Sequence, residues 1–297
     1  MCNMFTKNLN DISYRLRHNA LHKISTDHYL KKYFDIPRLD SKERVVVSFT
    51  TLPDRIEYLS AMINSLLSQT RRPDAIYLCV PEISQRKKTR YVVPQEILNN
   101  RAITIITADK DYGPATKLIP AFLAERKNPD TKIIIVDDDQ VYPRYHLECL
   151  NNWANLLPNS AVGGAGCFMP DKYPPSKVLG KDSVVGSSLR LSADKLSYLT
   201  QVDILFGYAS YVVRPRFLND QLLDYSGAPT AAFFEDDVWV SGNLARNGVD
   251  RYAFPCLGKR FSPASSKKTR HTGALCTEEN VNYQNMDIIY DYFREYW

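Results

Sequence analysis

Residues 133–140 read IIIVDDDQ, four β-branched aliphatics running directly into three consecutive aspartates. A run without apolar–polar alternation fits a central strand covered on both faces, the situation of a parallel sheet. That assignment restricts the chain to an α/β architecture, because parallel neighbours must be joined by long crossovers that are usually helical. Such a strand has no structural use for Asp137, Asp138 and Asp139 at its carboxyl end. Adjacent like charges repel, and each loses hydration when covered. A positive group that the sequence itself does not supply is therefore expected to meet them.

The pattern recurs. RVVVSFTT (44–51), AIYLCV (75–80) and AITIIT (102–107) read as three further buried strands. Between them, LPDRIEYLSAMINSLLSQT carries Leu59, Met62, Ile63, Leu66 and Leu67 at helical spacing, with Asp54 and Glu57 placed to cap it. GPATK leads from a turn into a helix bearing Leu118, Ile119, Phe122 and Leu123, and PRYHLECLNNWANLLP carries Leu147, Leu150, Trp153 and Leu157 on one stripe. This alternation predicts an α/β fold with a mostly parallel mixed sheet flanked by helices. In such sheets ligands gather outside the carboxyl ends of the strands, where the aspartates lie. Beyond residue 158, SYLTQVDILFGYASYVVRP predicts mixed or antiparallel strands around a glycine turn, and AAFFEDDVWVSGNLARNG a turn entering a helix. Residues 1–43 are expected to form a helical extension, 44–275 the main domain and 276–297 a tail packing on it.

A chain of 297 residues with 44% hydrophobic and 24% charged residues can bury a substantial core, which excludes disordered and collagen-like classes. The net charge of +5 includes the run Lys259, Arg260, Lys267, Lys268 and Arg270, which faces either solvent or an anionic ligand. No wide basic stripe or nucleic-acid-reading module is present, so nucleic acid is not an expected partner. Six scattered cysteines without a CxxC pair read as reduced thiols rather than a disulfide framework or zinc site. The sequence has no apolar run of membrane-spanning length and no signal-peptide core. A cytoplasmic location is expected, with peripheral contact at a membrane surface left open.

If the strand continues through VDDDQ, Asp137 and Asp139 point to one side and Asp138 to the other. With no His or Cys nearby in sequence, such carboxylates suit Mg2+ or Mn2+ better than zinc. The structural alternative, capping of a helix that begins near Pro143, accounts for one aspartate rather than three. FFEDDVWVSGNL (233–244) supplies a second acidic cluster. Crowding there raises a carboxyl pKa toward the range useful to a general base. Helix capping by Asp236 or Asp237 is the alternative.

Taken in order, VVVSFTTLPDR, DYGPATK, IIIVDDD, GYASYVV and FFEDDVWVSG resemble the GT-A glycosyltransferases, inverting family 2-like enzymes and their relatives in large algal DNA viruses. The resemblance covers roughly residues 44–258. It implies a nucleotide-sugar donor, UDP-linked in most metal-dependent relatives, a saccharide acceptor, and Mn2+ or Mg2+ held by an Asp-x-Asp motif. Thr50, Thr51 and Arg55 would then hold the nucleobase and ribose, Asp111 would read the uracil or ribose, and Lys117 would lie near the donor. Asp139 would be the direct metal ligand, with Asp137 on the ribose or metal-bound water and Asp138 beside them. His271 would complete the metal shell. Asp236 would be the base and Glu235 an acceptor-binding group, although Asp237, immediately following, leaves the assignment between the two aspartates open. A retaining transferase, a nucleotidyltransferase and a non-catalytic sugar-binding protein are the rival readings.

Overall fold

The structure is a computed structural model and describes residues 16–36, 43–168, 190–256, 264–265 and 284–297. The aliphatic runs close as strands β1 (Val45–Phe49), β2 (Ala75–Pro81), β3 (Ile103–Ala108) and β4 (Lys132–Ile135). The later half adds β5 (Ala161–Gly163), β6 (Thr200–Gln201), β7 (Tyr211–Val213) and β8 (Arg251–Ala253). These eight strands form one sheet in the order β6-β8-β5-β7-β4-β1-β2-β3. β3, β2, β1 and β4 are mutually parallel, β7 enters antiparallel beside β4, and β5 pairs antiparallel with β7 and parallel with β8. A mostly parallel mixed sheet is thus present.

The lack of alternation in the sequence follows from burial on both faces. Val46, Ile133 and Ile135 face one core with Ile119 and Phe122 of α3 (Ile119–Glu125), Trp239 of α5 (Asp236–Arg246) and Ile289 of α6 (Gln284–Tyr292). Val45, Val47, Ile134 and Val136 face the other, with Met62 and Leu66 of α2 (Ser60–Leu67) and Leu147 and Leu150 of α4 (His146–Leu156). A further helix, α1 (Thr26–Asp35), packs on α2 and buries Tyr33. Among the described residues no helix is long and apolar enough to cross a membrane.

Two local expectations differ. Asp54 does not cap α2: Arg55 and Ile56 donate their N–H groups to the Leu52 carbonyl, a 3-10 turn (Ile56–Tyr58) precedes the helix, and Asp54 pairs with Lys87 at 2.9 Å. The backbone has already satisfied those donors. Leu123 lies 39% exposed: burial of α3 runs without a break through Ile119–Phe122 and then gives way to an exposed stretch at residues 123–124.

The chain runs through β1, β2 and β3 outward, then returns to place β4 on the opposite side of β1. At such a reversal the connections leaving the two strands diverge and open a crevice at their carboxyl ends. That crevice is where the acidic motifs arrive.

Candidate active site

β4 ends at Ile135, and Asp138 and Asp139 lie in a turn rather than in a continued strand, so the partners of each carboxylate show where it goes. Asp137 accepts a hydrogen bond from Lys117 Nζ at 2.7 Å, whereas Asp138 turns the other way, to Thr51 Oγ1 at 2.6 Å and Arg55 Nη1 at 3.0 Å. Asp139 accepts from Gln140 Nε2 at 3.0 Å. The backbone of Asp137 is clamped from both sides by one hydroxyl: its N–H donates to Tyr142 Oη at 2.7 Å, and that hydroxyl donates to its carbonyl at 3.2 Å. None of the three caps α4, whose start at Tyr145 has no side-chain cap. The chain thus brings cations of its own, Lys117 and Arg55, to aspartates for which the sequence reading expected a positive group from outside it.

The second cluster arrives at the same point. A 3-10 turn (Thr230–Phe233) delivers Glu235, Asp236 and Asp237 to the start of α5. Lys117 Nζ lies 2.9 Å from Asp236 Oδ2, so one buried ammonium joins both motifs. The geometry at Asp236 is a charge contact rather than an aligned hydrogen bond, and Oδ2 has no hydrogen-bond partner among the described residues. Asp237 instead accepts the N–H of Gly207 at 2.9 Å. Glu235 occupies the position before the helix without capping it.

Burial governs the protonation of these groups. It pushes the Asp236 carboxyl above its ordinary value despite Lys117, and pushes Asp237 well above its own, with the charge of Asp236 adding to the effect. Burial likewise raises Asp138, with Arg55 and Thr51 opposing. Asp139 is pushed up to about 6, first by burial and then by the charges of Asp137 and Asp138. Burial works against the charge of Lys117, yet Asp137 and Asp236 outweigh it and hold the ammonium well above its usual range.

Asp111 accepts the N–H groups of Gln85 at 2.7 Å and Gly113 at 2.8 Å, in the loop between β3 and the 3-10 turn Gly113–Lys117. Gly113 has φ +61°, and a Cβ there would meet the Phe233 carbonyl oxygen at 2.0 Å, so only glycine lets the DYGPATK and EDD segments touch. Thr50 is half-buried just past β1. His271 lies outside the described residues; Gln140–Val141, beside Asp139, pairs antiparallel with Ala264–Ser265.

Several groups escaped the sequence reading. Gly207 belongs to the GYAS segment, and a Cβ there would lie 2.6 Å from Lys117 Nζ. Ser210 takes φ +64°, unusual for a residue with a side chain, and its hydroxyl bonds His146 Nε2 at 2.8 Å. The hydroxyls of Tyr211 and Tyr225 are buried without a hydrogen-bond partner among the described residues, and both rings feel the charge of Asp236. The single Gly and the two Tyr in FGYASYVV were the available signal for Gly207 and Tyr211.

Among the described residues no three His, Cys, Asp or Glu side chains meet as a metal shell. The donor set nevertheless fits a hard divalent ion shared with substrate phosphates, which needs only one or two protein carboxylates. Asp137 and Asp139 are such oxygens, and the mutual repulsion that raises Asp139 is what an added cation offsets. Neither protein-family models nor curated proteins gave a match to the chain.

Proposed function

We propose that the chain is a metal-dependent glycosyltransferase of GT-A type, which transfers a sugar from a nucleoside diphosphate sugar, UDP-linked in first place, to a glycan hydroxyl with inversion. The supporting observation is the meeting of two acidic motifs, about a hundred residues apart, at the switch point of the sheet, joined by Lys117 at 2.7 and 2.9 Å. A purely structural role would not gather five carboxylates around two buried cations.

In this reading Asp137, Asp139 and His271 would hold a divalent cation, which supplies charge stabilisation to the departing diphosphate. Asp236 receives the proton of the acceptor hydroxyl as that oxygen bonds to the anomeric carbon and the sugar–phosphate bond breaks. Its raised pKa suits that task, and Asp237, spent on the Gly207 N–H, orients the loop instead. Glu235 binds the acceptor. Thr51 and Arg55 serve the donor by fixing Asp138, while Thr50 and Asp111 line the nucleoside side.

A panel of nucleotide-sugars incubated with Mn2+, followed by acceptor screening with the productive donor, tests this directly. Metal-dependent sugar release and an inverted product anomer are the expected results. A protein that neither binds nor hydrolyses any donor removes the reading, and a retained anomer removes the inversion.

A further inference from the structure

Lys117 is 5% exposed, and its placement is built rather than incidental. Its carbonyl accepts the Ser48 hydroxyl of β1 at 2.6 Å, its turn is pressed through Gly113 onto Phe233, and Gly207 leaves the room that its ammonium fills. Resting on the reading above, we propose that Lys117 is the resident cation of the site: it competes with a divalent ion for Asp137 and serves as the strut that positions Asp236.

Two like charges cannot share one carboxylate oxygen at close range without one weakening the hold of the other. Asp137 Oδ1 is already spent on the ammonium, so a divalent ion that engages this carboxylate meets Lys117 as a charge rival. Diphosphate oxygens brought by the donor would accept the ammonium and relieve that rivalry. Metal binding is accordingly weak in the empty protein and strengthened by nucleotide. Because the same Nζ also lies 2.9 Å from Asp236, removing it loosens the base as well. Lys117 is in this sense a positioning residue, and it acts on proton removal through Asp236.

The experiment measures Mn2+ binding to the protein alone, and then with uridine diphosphate, for wild type, Lys117→Met and Gly207→Ala. It is run at pH 8, so that carboxylates freed from the ion pair remain ionised. Lys117→Met should bind Mn2+ alone at least about tenfold more tightly than wild type, while its nucleotide-induced gain in metal affinity shrinks and its turnover falls. Gly207→Ala, which displaces the ammonium without deleting it, should move metal affinity in the same direction by a smaller factor, and it serves as the check if Lys117→Met does not fold. A merely structural lysine would leave Mn2+ affinity unchanged or lower it, and that result overturns the proposal. Tighter Mn2+ binding by the variants without any nucleotide response in wild type would keep Lys117 as the resident cation and sink the transferase reading instead. A nucleotide response in wild type with no gain in the variants would do the reverse.

Discussion

Glu125, near the edge where the parallel strands begin, accepts four hydrogen bonds: two from Arg44 at 2.7 and 2.8 Å, one from the Tyr77 hydroxyl at 2.5 Å and one from Thr131 at 3.0 Å. Lys132 beside it donates to Glu43 at 2.6 Å, to Asn151 at 2.9 Å and to Asn155. At the opposite edge, where the strands end, Asp137, Asp138, Asp139, Asp236 and Asp237 gather around Lys117 and Arg55 as the only cations paired with them among the described residues, and among these residues Asp236 Oδ2, Tyr211 Oη and Tyr225 Oη are buried without hydrogen-bond partners. The same kinds of charge are buried at both edges. Burial pushes Glu125 up, but Arg44 and Tyr77 more than offset it and hold the carboxyl below its ordinary value, whereas Asp138, Asp139, Asp236 and Asp237 all rise. A complete network stabilises a fold; an under-compensated one marks the place where a ligand's charge and hydrogen bonds are to be added.

The sharpest way to break this contrast is to change one carboxylate at each edge and read activity and stability together. Asp236→Asn keeps the shape of the side chain but cannot accept a proton, so transfer should fall by about 10² to 10⁴. Removal of an acid from an overcrowded cluster should leave the melting temperature level or raised. Asp237→Asn retains the oxygen that accepts the Gly207 N–H and should be far milder. Turnover at saturating substrates, with donor affinity measured alongside, decides between them: a dead Asp237→Asn and an active Asp236→Asn would move the base by one residue. Glu125→Ala should show the opposite profile. It removes the acceptor shared by Arg44, Tyr77 and Thr131; the Arg44 side chain is 40% exposed and can turn to water, so the loss should be about 1–3 kcal/mol, mainly from the buried hydroxyls. Urea unfolding should report that loss, while the fraction that stays folded binds donor normally. A small effect on stability would mean that the two edges are not as different as their hydrogen bonds imply.

Much of the sheet was legible because burial on both faces leaves its mark on composition: VVVSF, AIYLCV and KIIIV could not be surface strands. The two acidic motifs were legible for the converse reason, since carboxylates following apolar runs have no folding purpose. What the sequence could not give was pairing. Lys117 and Arg55 lie twenty and more residues from the acids that they meet, and only the return of the chain from β3 to β4 brings them together. The roles of Gly113 and Gly207 depend on a carbonyl and an ammonium from distant segments, so their necessity is invisible without the packing. Asp54 went astray because a local cap competes with backbone hydrogen bonds, and here the Leu52 carbonyl had taken the donors.

The finest test of the contrast lies in the pH dependence of Asp139. Its carboxyl sits at about 6 in the folded protein against an ordinary 3.8, through burial first and then through Asp137 and Asp138. The folded state therefore holds this proton more tightly than the unfolded chain does. The stabilisation is fully present below the ordinary value and is lost as pH rises through about 6. Between pH 4 and pH 7 the metal-free protein should lose on the order of 1–3 kcal/mol from this group. Asp139→Asn, which does not titrate, should flatten that part of the profile and gain on wild type as pH rises. Carboxylates away from the cluster titrate alike in both proteins, so the difference between the two urea-midpoint curves reports residue 139 together with its coupling to Asp137 and Asp138. At the well-paired edge Glu125→Gln should do the reverse, because a carboxyl held below its ordinary value contributes most at neutral pH and loses its contribution in acid. Parallel curves for wild type and Asp139→Asn would show that this carboxylate is hydrated and unstrained in the empty site, and the unmet charge would then have to be sought at Asp236 and Asp237 alone.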